Sequence, residues 1–262
     1  MNKIPLLLAG ACIITACQQV VDLNLHTTPA QVVIEGSINN AAGPYRVTIT
    51  KSVNFYQGNS YPYVSGALVI ITDGKAAVID TLAEVSPGMY ETHSIVGRPG
   101  NTYTLQVLLA GSVYTATSTM PQPVSLDSVT FNYATKNTIR AVANFQDPIG
   151  IVNYYKFTTY VNGKYLNELH TFEDRLSDGR YIREKMDNDT TDIKKGDDVL
   201  VSLIGIDKEV NTYLREAQTI AYDNSNLVAP STPHTNIAGG ALGYFSAETI
   251  SSKNGYPKRS NP

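Results

Sequence analysis

The chain has 262 residues, of which 42% are hydrophobic and 16% are charged, and its formal net charge is −3. This composition is typical of a globular protein with one or two domains. It argues against nucleic-acid binding, which requires a clustered basic face that the sequence does not contain. The 17 Tyr, the absence of Trp and the many Thr, Val and Ile residues favour β-strands.

The first predicted element is a leader. Lys3 provides a positive start, and Ile4 to Ile14 is apolar except for small residues and one proline. A short cationic start, an apolar core and small residues before a cleavage point are typical of a secretory signal peptide. The segment is much shorter than the roughly 20 residues of a transmembrane helix. An ordinary cleaved signal or a buried N-terminal strand are the other interpretations. We predict a signal peptide over residues 1–16.

The end of the leader, Ile14-Thr15-Ala16-Cys17, resembles the bacterial lipobox. That resemblance implies cleavage before Cys17 and attachment of diacylglycerol to its thiol, with a lipid-anchored tether over residues 17–29. Cys12 is the alternative cysteine, but Ala9 stands where the lipobox usually has Leu, Val or Ile. Because both cysteines lie in this leader, the mature chain is expected to have no disulfide and no cysteine–metal site.

Residues 30–120 are predicted to form short strands. Apolar and polar residues alternate strictly over Tyr45–Thr50, which places Tyr45, Val47 and Ile49 on one face of that strand. The same alternation over Tyr103–Leu109 places Tyr103, Leu105, Val107 and Leu109 on one face of a second strand. The continuous apolar run Ala67–Thr72 predicts a strand covered on both faces, and Asp73-Gly74 after it predicts a hairpin. Short strands separated by frequent turn signals favour a β-sandwich.

A second β-rich domain is predicted over residues 124–250, after the boundary at Pro121 and Pro123, followed by a polar, frayed tail over 251–262. Asn162-Gly163 is expected to close a hairpin. Residues 207–223 form the one predicted helix, which Asp207 can cap. Val210, Tyr213, Leu214, Ala217 and Ile220 give this helix an apolar stripe. The overall fold class is therefore all-β with one short helix.

No catalytic motif stands out in the sequence. The four histidines are far apart, a Gly-x-Ser-x-Gly elbow is absent, and no cysteine remains as a nucleophile. A weak calcium candidate is the acidic stretch containing Asp187, Asp189 and Asp192, since calcium prefers several oxygen ligands on a flexible loop. A solvated acidic loop is the simpler interpretation. We predict no enzyme activity, no cofactor and no metal site beyond this candidate. Asn236–Gly240 is expected to let the backbone approach another strand closely.

Six segments in this order resemble one family. They are Val32–Gly36, Tyr45–Ser52, Val64–Gly74, Pro99–Leu105, Tyr114–Pro121 and Thr235–Phe245. They look like the Bacteroidota lipoprotein family of unknown function DUF4249, and the Asn-Ile-x-Gly-Gly…Gly-Tyr-Phe run near the end is the most specific of them. The first half is similar to transthyretin-like or carboxypeptidase-regulatory-like sandwiches, which implies an immunoglobulin/transthyretin-like β-sandwich for residues 30–120. The resemblance implies an outer-membrane lipoprotein whose genes often accompany TonB-dependent receptors, and it implies no known activity or binding residue.

The leading hypothesis is therefore a non-enzymatic binding or accessory component of a TonB-dependent uptake system, held to the outer membrane by lipid. The alternatives are a structural or adhesion protein of the envelope and, third, a hydrolase. Surface lipoproteins of that phylum tend to carry acidic residues just after the acylated cysteine. Here Gln18-Gln19-Val20-Val21 precede Asp22, so the periplasmic and the cell-surface face both remain open.

The lipobox prediction is tested by Cys17→Ser. The variant is expected to lose acyl labelling and to leave the membrane fraction, because two or more acyl chains hold a protein far more firmly than none. Labelling with a fatty-acid probe and membrane sedimentation measure both effects. A variant that still labels and sediments with membranes would show that the lipobox assignment is wrong.

Overall fold

A computed structural model describes residues 29–53, 61–74, 79–135, 138–186, 193–222 and 232–258. Within these residues the chain forms sixteen strands and one helix, which confirms the predicted all-β fold class. The strands build two sandwiches, each with its own hydrophobic core. The division of the strands between the two sandwiches differs from the predicted domain bounds.

Ten strands contribute to the first sandwich. They are β1 (Val32–Asn39), β2 (Arg46–Lys51), β3 (Leu68–Asp73), β4 (Ile79–Thr81), β5 (Ala83–Ser86), β6 (Met89–Glu91), β7 (Thr102–Leu109), β8 (Ser112–Thr119), β15 (Ile237–Ala238) and β16 (Leu242–Gly255). One sheet has the order β15-β8-β7-β3-β4, and the facing sheet contains β16-β1-β2-β6-β5. Their inner faces enclose the core.

The predicted alternation places the core residues correctly. Val47 and Ile49 of β2 and Leu105 and Val107 of β7 are all buried. The prediction for β3 was wrong in one respect: Leu68 is 46% exposed, so the strand is covered on one face only. The reason is that, among the described residues, no layer packs on the outer face of this part of the five-stranded sheet. The predicted antiparallel pairing of β3 with the next strand is confirmed.

Six strands and one half of β16 build the second sandwich. They are β9 (Leu126–Thr135), β10 (Thr138–Gln146), β11 (Tyr154–Val161), β12 (Lys164–Glu173), β13 (Tyr181–Lys185) and β14 (Val199–Ile206). A sheet of order β13-β10-β9 faces a sheet of order β12-β11-β14-β16. Asn162 and Gly163 have φ of 50° and 79°, as the predicted Asn-Gly hairpin between β11 and β12 requires.

The single helix of the described residues, α1 (Lys208–Tyr222), covers the outer face of this second sheet. Asp207 caps it as predicted, since its Oδ1 accepts a hydrogen bond of 2.9 Å from the backbone N–H of Val210. Val210 and Leu214 of the helix pack on Ile204 and Ile206 of β14. The central strand β14 is therefore buried on both faces, because its alternate residues belong to the core of the sandwich.

The strand β16 belongs to both sandwiches. Its first half, from Leu242 to Glu248, pairs in parallel with β1, and its second half, from Thr249 to Gly255, pairs antiparallel with β14. The sequence had placed residues up to 250 in the second domain, yet β15 and the start of β16 complete the first sandwich. Residues 251–255 were predicted to be a frayed tail. They are instead the paired end of β16, because β14 supplies the hydrogen-bonding edge.

The glycine-rich run before β16 forms a clip between the two sheets of the first sandwich. Asn236 donates from Nδ2 to the carbonyl of Phe245 at 2.7 Å and accepts from the Phe245 N–H at 3.0 Å. Thr235 donates to the carbonyl of Gly243 at 2.7 Å. Gly243 has a φ of 96°, and a Cβ there would overlap the carbonyl oxygen of Ile34. Within the predicted run Asn236–Gly240, a Cβ at Gly239 would lie 2.5 Å from the carbonyl oxygen of Val113, which confirms the close backbone approach expected there.

A second polar contact joins the sandwiches at their junction. Ser118 at the end of β8 donates to Asp207 Oδ2 at 2.5 Å and accepts from the N–H of Ala247 at 2.7 Å. Ser118 is buried, so this hydroxyl links the first sandwich, the helix cap and β16 in a site with little water. A buried hydroxyl with a charged acceptor contributes more than a neutral pair.

Two glycines of the clip provide a matched pair of variants. Gly243→Ala should lower the free energy of unfolding by about 2–4 kcal/mol, because the new Cβ forces β1 and β16 apart in addition to the penalty for positive φ. Gly240→Ala is the control: its φ is 86° but nothing lies within 4 Å of a Cβ there, so about 1 kcal/mol is expected. Denaturant unfolding measures both. Equal losses would contradict the close approach.

Candidate functional site

An acidic cluster lies at one end of the second sandwich. It consists of Asp147, which follows β10, and of Asp174 and Asp178, which follow β12. One carboxylate oxygen of each lies within 4.8 Å of the others. Asp147 and Asp174 are 1% and 0% exposed, whereas Asp178 is exposed to solvent. Among the described residues this is the group in which three potential metal ligands come together.

The surrounding turns hold two of these carboxylates in place. Asp147 accepts hydrogen bonds from the hydroxyl of Tyr155 at 2.7 Å and from the N–H of Gly179 at 3.0 Å. Asp178 accepts two from the N–H of Gly150, at 2.8 and 3.1 Å. The β10–β11 and β12–β13 turns are thereby joined through the cluster. Each turn donates to a carboxylate of the other, which positions the acidic oxygens without neutralising their charge.

Asp174 has one oxygen without a partner. Its Oδ2 accepts from the N–H of Asn153 at 3.0 Å, while its buried Oδ1 has no hydrogen-bond partner. The side-chain oxygen of Asn153, which is 8% exposed, is also buried and unpartnered. Buried polar atoms are almost always satisfied, because each unsatisfied one costs about 1–3 kcal/mol. Two such oxygens on residues whose backbones are directly hydrogen-bonded to each other are an unusual concentration of unused acceptors.

Electrostatics make this cluster costly when it is fully ionised. Burial raises the pKa of Asp174 to about 6, the N–H of Asn153 opposes that rise, and the carboxylate of Asp147 adds to it. Burial also raises the pKa of the Tyr155 hydroxyl, and its hydrogen bond to Asp147 adds to the effect. None of the three carboxylates forms an ion pair with a described Lys, Arg or His. The local charge is therefore uncompensated by charged side chains of the described residues.

Large apolar side chains surround this cluster at the surface. We call Ile149, Ile151, Val152 and Leu176 the apolar tips. They are 82%, 57%, 53% and 89% exposed, and all four lie in the two turns that carry the acidic cluster. Single exposed apolar residues are ordinary, but several on neighbouring turns mark an interaction site. Strong exposure of four aliphatic side chains costs hydration free energy in the isolated protein.

Two shallow hollows lie on the described surface. The smaller, of about 380 Å³, adjoins the apolar tips and is lined by Phe172, Leu176 and a cluster in which Glu173 pairs with Arg175 and Arg215. The larger, of about 440 Å³, lies on the first sandwich and contains His93. Both lie within the size range of small-molecule pockets, but both are open to solvent rather than enclosed.

The larger hollow has a buried carboxylate at its edge. Asp80 is 3% exposed and accepts from the backbone N–H groups of His93, Ser94 and Ile95 at distances between 2.7 and 3.2 Å. Burial raises the pKa of Asp80, but these N–H groups outweigh it and hold the pKa below its usual range. Because all three donors belong to the backbone of one turn, we interpret Asp80 as the residue that fixes this turn.

A buried ion pair crosses the second sheet where the two sandwiches meet. Lys156 of β11 donates to Glu248 of β16 at 2.5 Å, and the two side chains are 15% and 4% exposed. Burial lowers the pKa of Lys156, but the Glu248 carboxylate outweighs burial, so the net pKa is raised. Buried paired charges can mark functional sites, but they also serve structure. Neither of the two hollows described above is lined by Lys156 or Glu248, which favours the structural role.

The residues predicted from sequence fall mostly outside this geometry. Cys17 and the calcium candidates Asp187, Asp189 and Asp192 lie outside the described residues, as does His26. The three described histidines each face a different carboxylate: His93 faces Asp80, His170 faces Glu184 and His234 faces Glu209. They are therefore not brought together.

Sequence reasoning missed Asp147, Asp174 and Asp178. The available signal was that Asp147 precedes a proline after β10, and that Asp178-Gly179 lies in the turn-rich stretch after β12. Aspartates at the ends of two strands are common in turns. One sequence does not reveal that β10 and β12 end at the same end of the second sandwich. The acidic cluster could therefore be recognised only from the fold.

No helix among the described residues is long and apolar enough to cross a membrane. Comparison with family profiles gives one match, to the family described as domain of unknown function (DUF4249), over residues 18–254. The sequence has no match among curated proteins. Among solved structures, a segment of chicken tenascin with two fibronectin type-III domains is similar. It is 13% identical, with 67% of this chain and 90% of that chain covered, and its TM-score is 0.22. That score carries no argument about function.

The buried ion pair gives a quantitative prediction. Lys156→Met should lower the free energy of unfolding by about 3–5 kcal/mol, because it leaves the Glu248 carboxylate buried and unpaired. Adding Glu248→Leu should restore most of that loss. Arg46→Met is the control: its partner Glu91 lies at the surface, so less than about 1 kcal/mol is expected. Chemical denaturation decides; a double variant no better than the single one would contradict this interpretation.

Proposed function

The chain belongs to the DUF4249 family, and on that premise we propose that it is an outer-membrane-anchored lipoprotein that acts as a non-enzymatic docking component of a TonB-dependent uptake system. Its acyl anchor is Cys17, and the tether covers residues 17–29. The lipobox-like leader and the gene association implied by the family resemblance support this proposal. The partner in the proposal is the integral receptor of the system.

The direction of the strands relates the tether to the second sandwich. The tether leads into β1, whose start lies beside the start of β16. Since β16 has 14 residues, it extends about 45 Å away from that level. The first residue of β11, Tyr154, pairs with Ile206 of β14, which lies beside Glu248 of β16. β11 therefore begins about 20 Å along β16, measured from the start of that strand. The turn before β11 therefore lies at the end of the second sandwich that faces back towards the tether.

The observation that carries the docking role is the position of the apolar tips. They lie on the turns at this tether-facing end, within reach of a membrane-embedded partner, because a tether of 13 residues spans at most about 40 Å. A receptor in the same membrane supplies apolar and aromatic side chains at such a surface. Burying Ile149 and Leu176 against it contributes roughly 1.5–3 kcal/mol each.

Co-purification tests the docking role. From solubilised outer membranes, the wild-type protein is expected to co-purify with a TonB-dependent receptor. The double variant Ile149→Ser/Leu176→Ser is expected to recover at least about tenfold less receptor. Ile79→Ser is the matched control, because Ile79 is 64% exposed on the first sandwich and should not affect recovery. Recovery of no receptor by the wild-type protein would defeat the proposal.

The anchor needs its own control in this experiment. Cys17→Ser should abolish both membrane attachment and receptor recovery from intact cells, because the local concentration supplied by the tether is lost. Cys12→Ser should change neither, since the proposal gives Cys12 no role in attachment. If Cys12→Ser releases the protein and Cys17→Ser does not, the acylated residue is assigned wrongly.

A further inference from the structure

The acidic cluster contains more acceptor atoms than the protein satisfies. Asp147, Asp174 and Asp178 present carboxylate oxygens within 4.8 Å of one another, and no described cation pairs with them. Like charges at such distances repel, and burial of two of them strengthens the repulsion. Three carboxylates so close together are stable at neutral pH only when a proton or a bound cation reduces their negative charge.

A second, independent observation favours a cation. Asp174 is 0% exposed and its Oδ1 has no hydrogen-bond donor, and the same is true of the Oδ1 of the buried Asn153. A proton shared between two carboxylates would leave the amide oxygen of Asn153 unsatisfied. Asn153 is joined to Asp174 in both directions, since each backbone N–H donates to an oxygen of the other residue. A cation accommodates the carboxylates and the amide oxygen together.

The donor set selects the type of cation. All four candidate ligands are oxygen atoms, three from carboxylates and one from an amide, and the cluster includes no His or Cys. Hard cations prefer such sets, and calcium accepts irregular sites of six to eight oxygens completed by water. Magnesium demands a near-ideal octahedron, which two separate turns are less suited to build. The exposed Asp178 leaves a path for entry from solvent.

We propose that Asp147, Asp174 and Asp178, with Asn153, form a calcium site that clamps the β10–β11 turn to the β12–β13 turn. Ligands from both turns then bind one ion, in addition to the hydrogen bonds of Gly150 and Gly179 that already join these turns. The ion compensates the local negative charge. This site does not depend on the proposed docking role, although the apolar tips lie on the same turns.

Calorimetry and thermal unfolding of the full-length protein in detergent test the site, with calcium chloride as the probe after treatment with a chelator. Calcium at about 100 times its Kd should raise Tm by roughly 5–10 °C. Magnesium at the same concentration should give a smaller shift. Asp178→Asn, which is at the surface and should fold, is expected to lose most of the shift, and Asp174→Asn to lose all of it.

The control variant is Asp187→Asn/Asp189→Asn, which removes the acidic stretch singled out by sequence and should keep the full shift. The proposal is overturned if the wild-type protein binds no calcium, or if Asp174→Asn and Asp178→Asn retain the shift. It is also overturned if the Asp187→Asn/Asp189→Asn variant abolishes the shift. These readouts are independent of receptor recovery, so a failure here leaves the docking proposal standing, and the reverse also holds.

Discussion

Both sandwiches depend on the strand β16, because each uses one half of it to complete a sheet. The hydrogen bonds of the first half go to β1, and those of the second half go to β14. A continuous strand cannot bend freely between its halves, so the two cores are held in a defined relation. The ion pair of Lys156 with Glu248 and the contact of Ser118 with Asp207 lie at this transition. These four side chains are tolerated there because each has a hydrogen-bond or ion-pair partner.

Local patterns in the sequence were sufficient to predict most strands. Strict alternation in β2 and β7, the Asn162-Gly163 turn and the capped helix after Asp207 all correspond to the structure. These features arise from neighbouring residues, so one sequence contains the necessary information. The exposed face of β3 shows the limit, because a continuous apolar run does not reveal whether a second layer lies outside it.

Pairing between distant segments could not be predicted in the same way. Pro121 and Pro123 lie between β8 and β9, yet β15 and β16 return to the first sandwich more than a hundred residues later. The candidate site also depends on contacts between distant segments, since Asp147 and Asp174 meet only because β10 and β12 end at the same end of the second sandwich. The acidic stretch around Asp187 was conspicuous in sequence because its aspartates are adjacent. Asp147, Asp174 and Asp178 are dispersed, and only the fold brings them together.

The parallel pairing of β1 with β16 has a consequence for how the chain acquires its structure. The first strand must wait for nearly the last residues of the chain before its sheet is complete, and closing so long a loop makes such contacts slow to form. The edge of β1 that pairs with β16 stays unpaired while the chain emerges from translation. An incomplete chain therefore cannot close either sandwich, which keeps it extended until its C-terminal strand arrives. For a chain with the proposed secretory leader, late closure is compatible with translocation in an unfolded state.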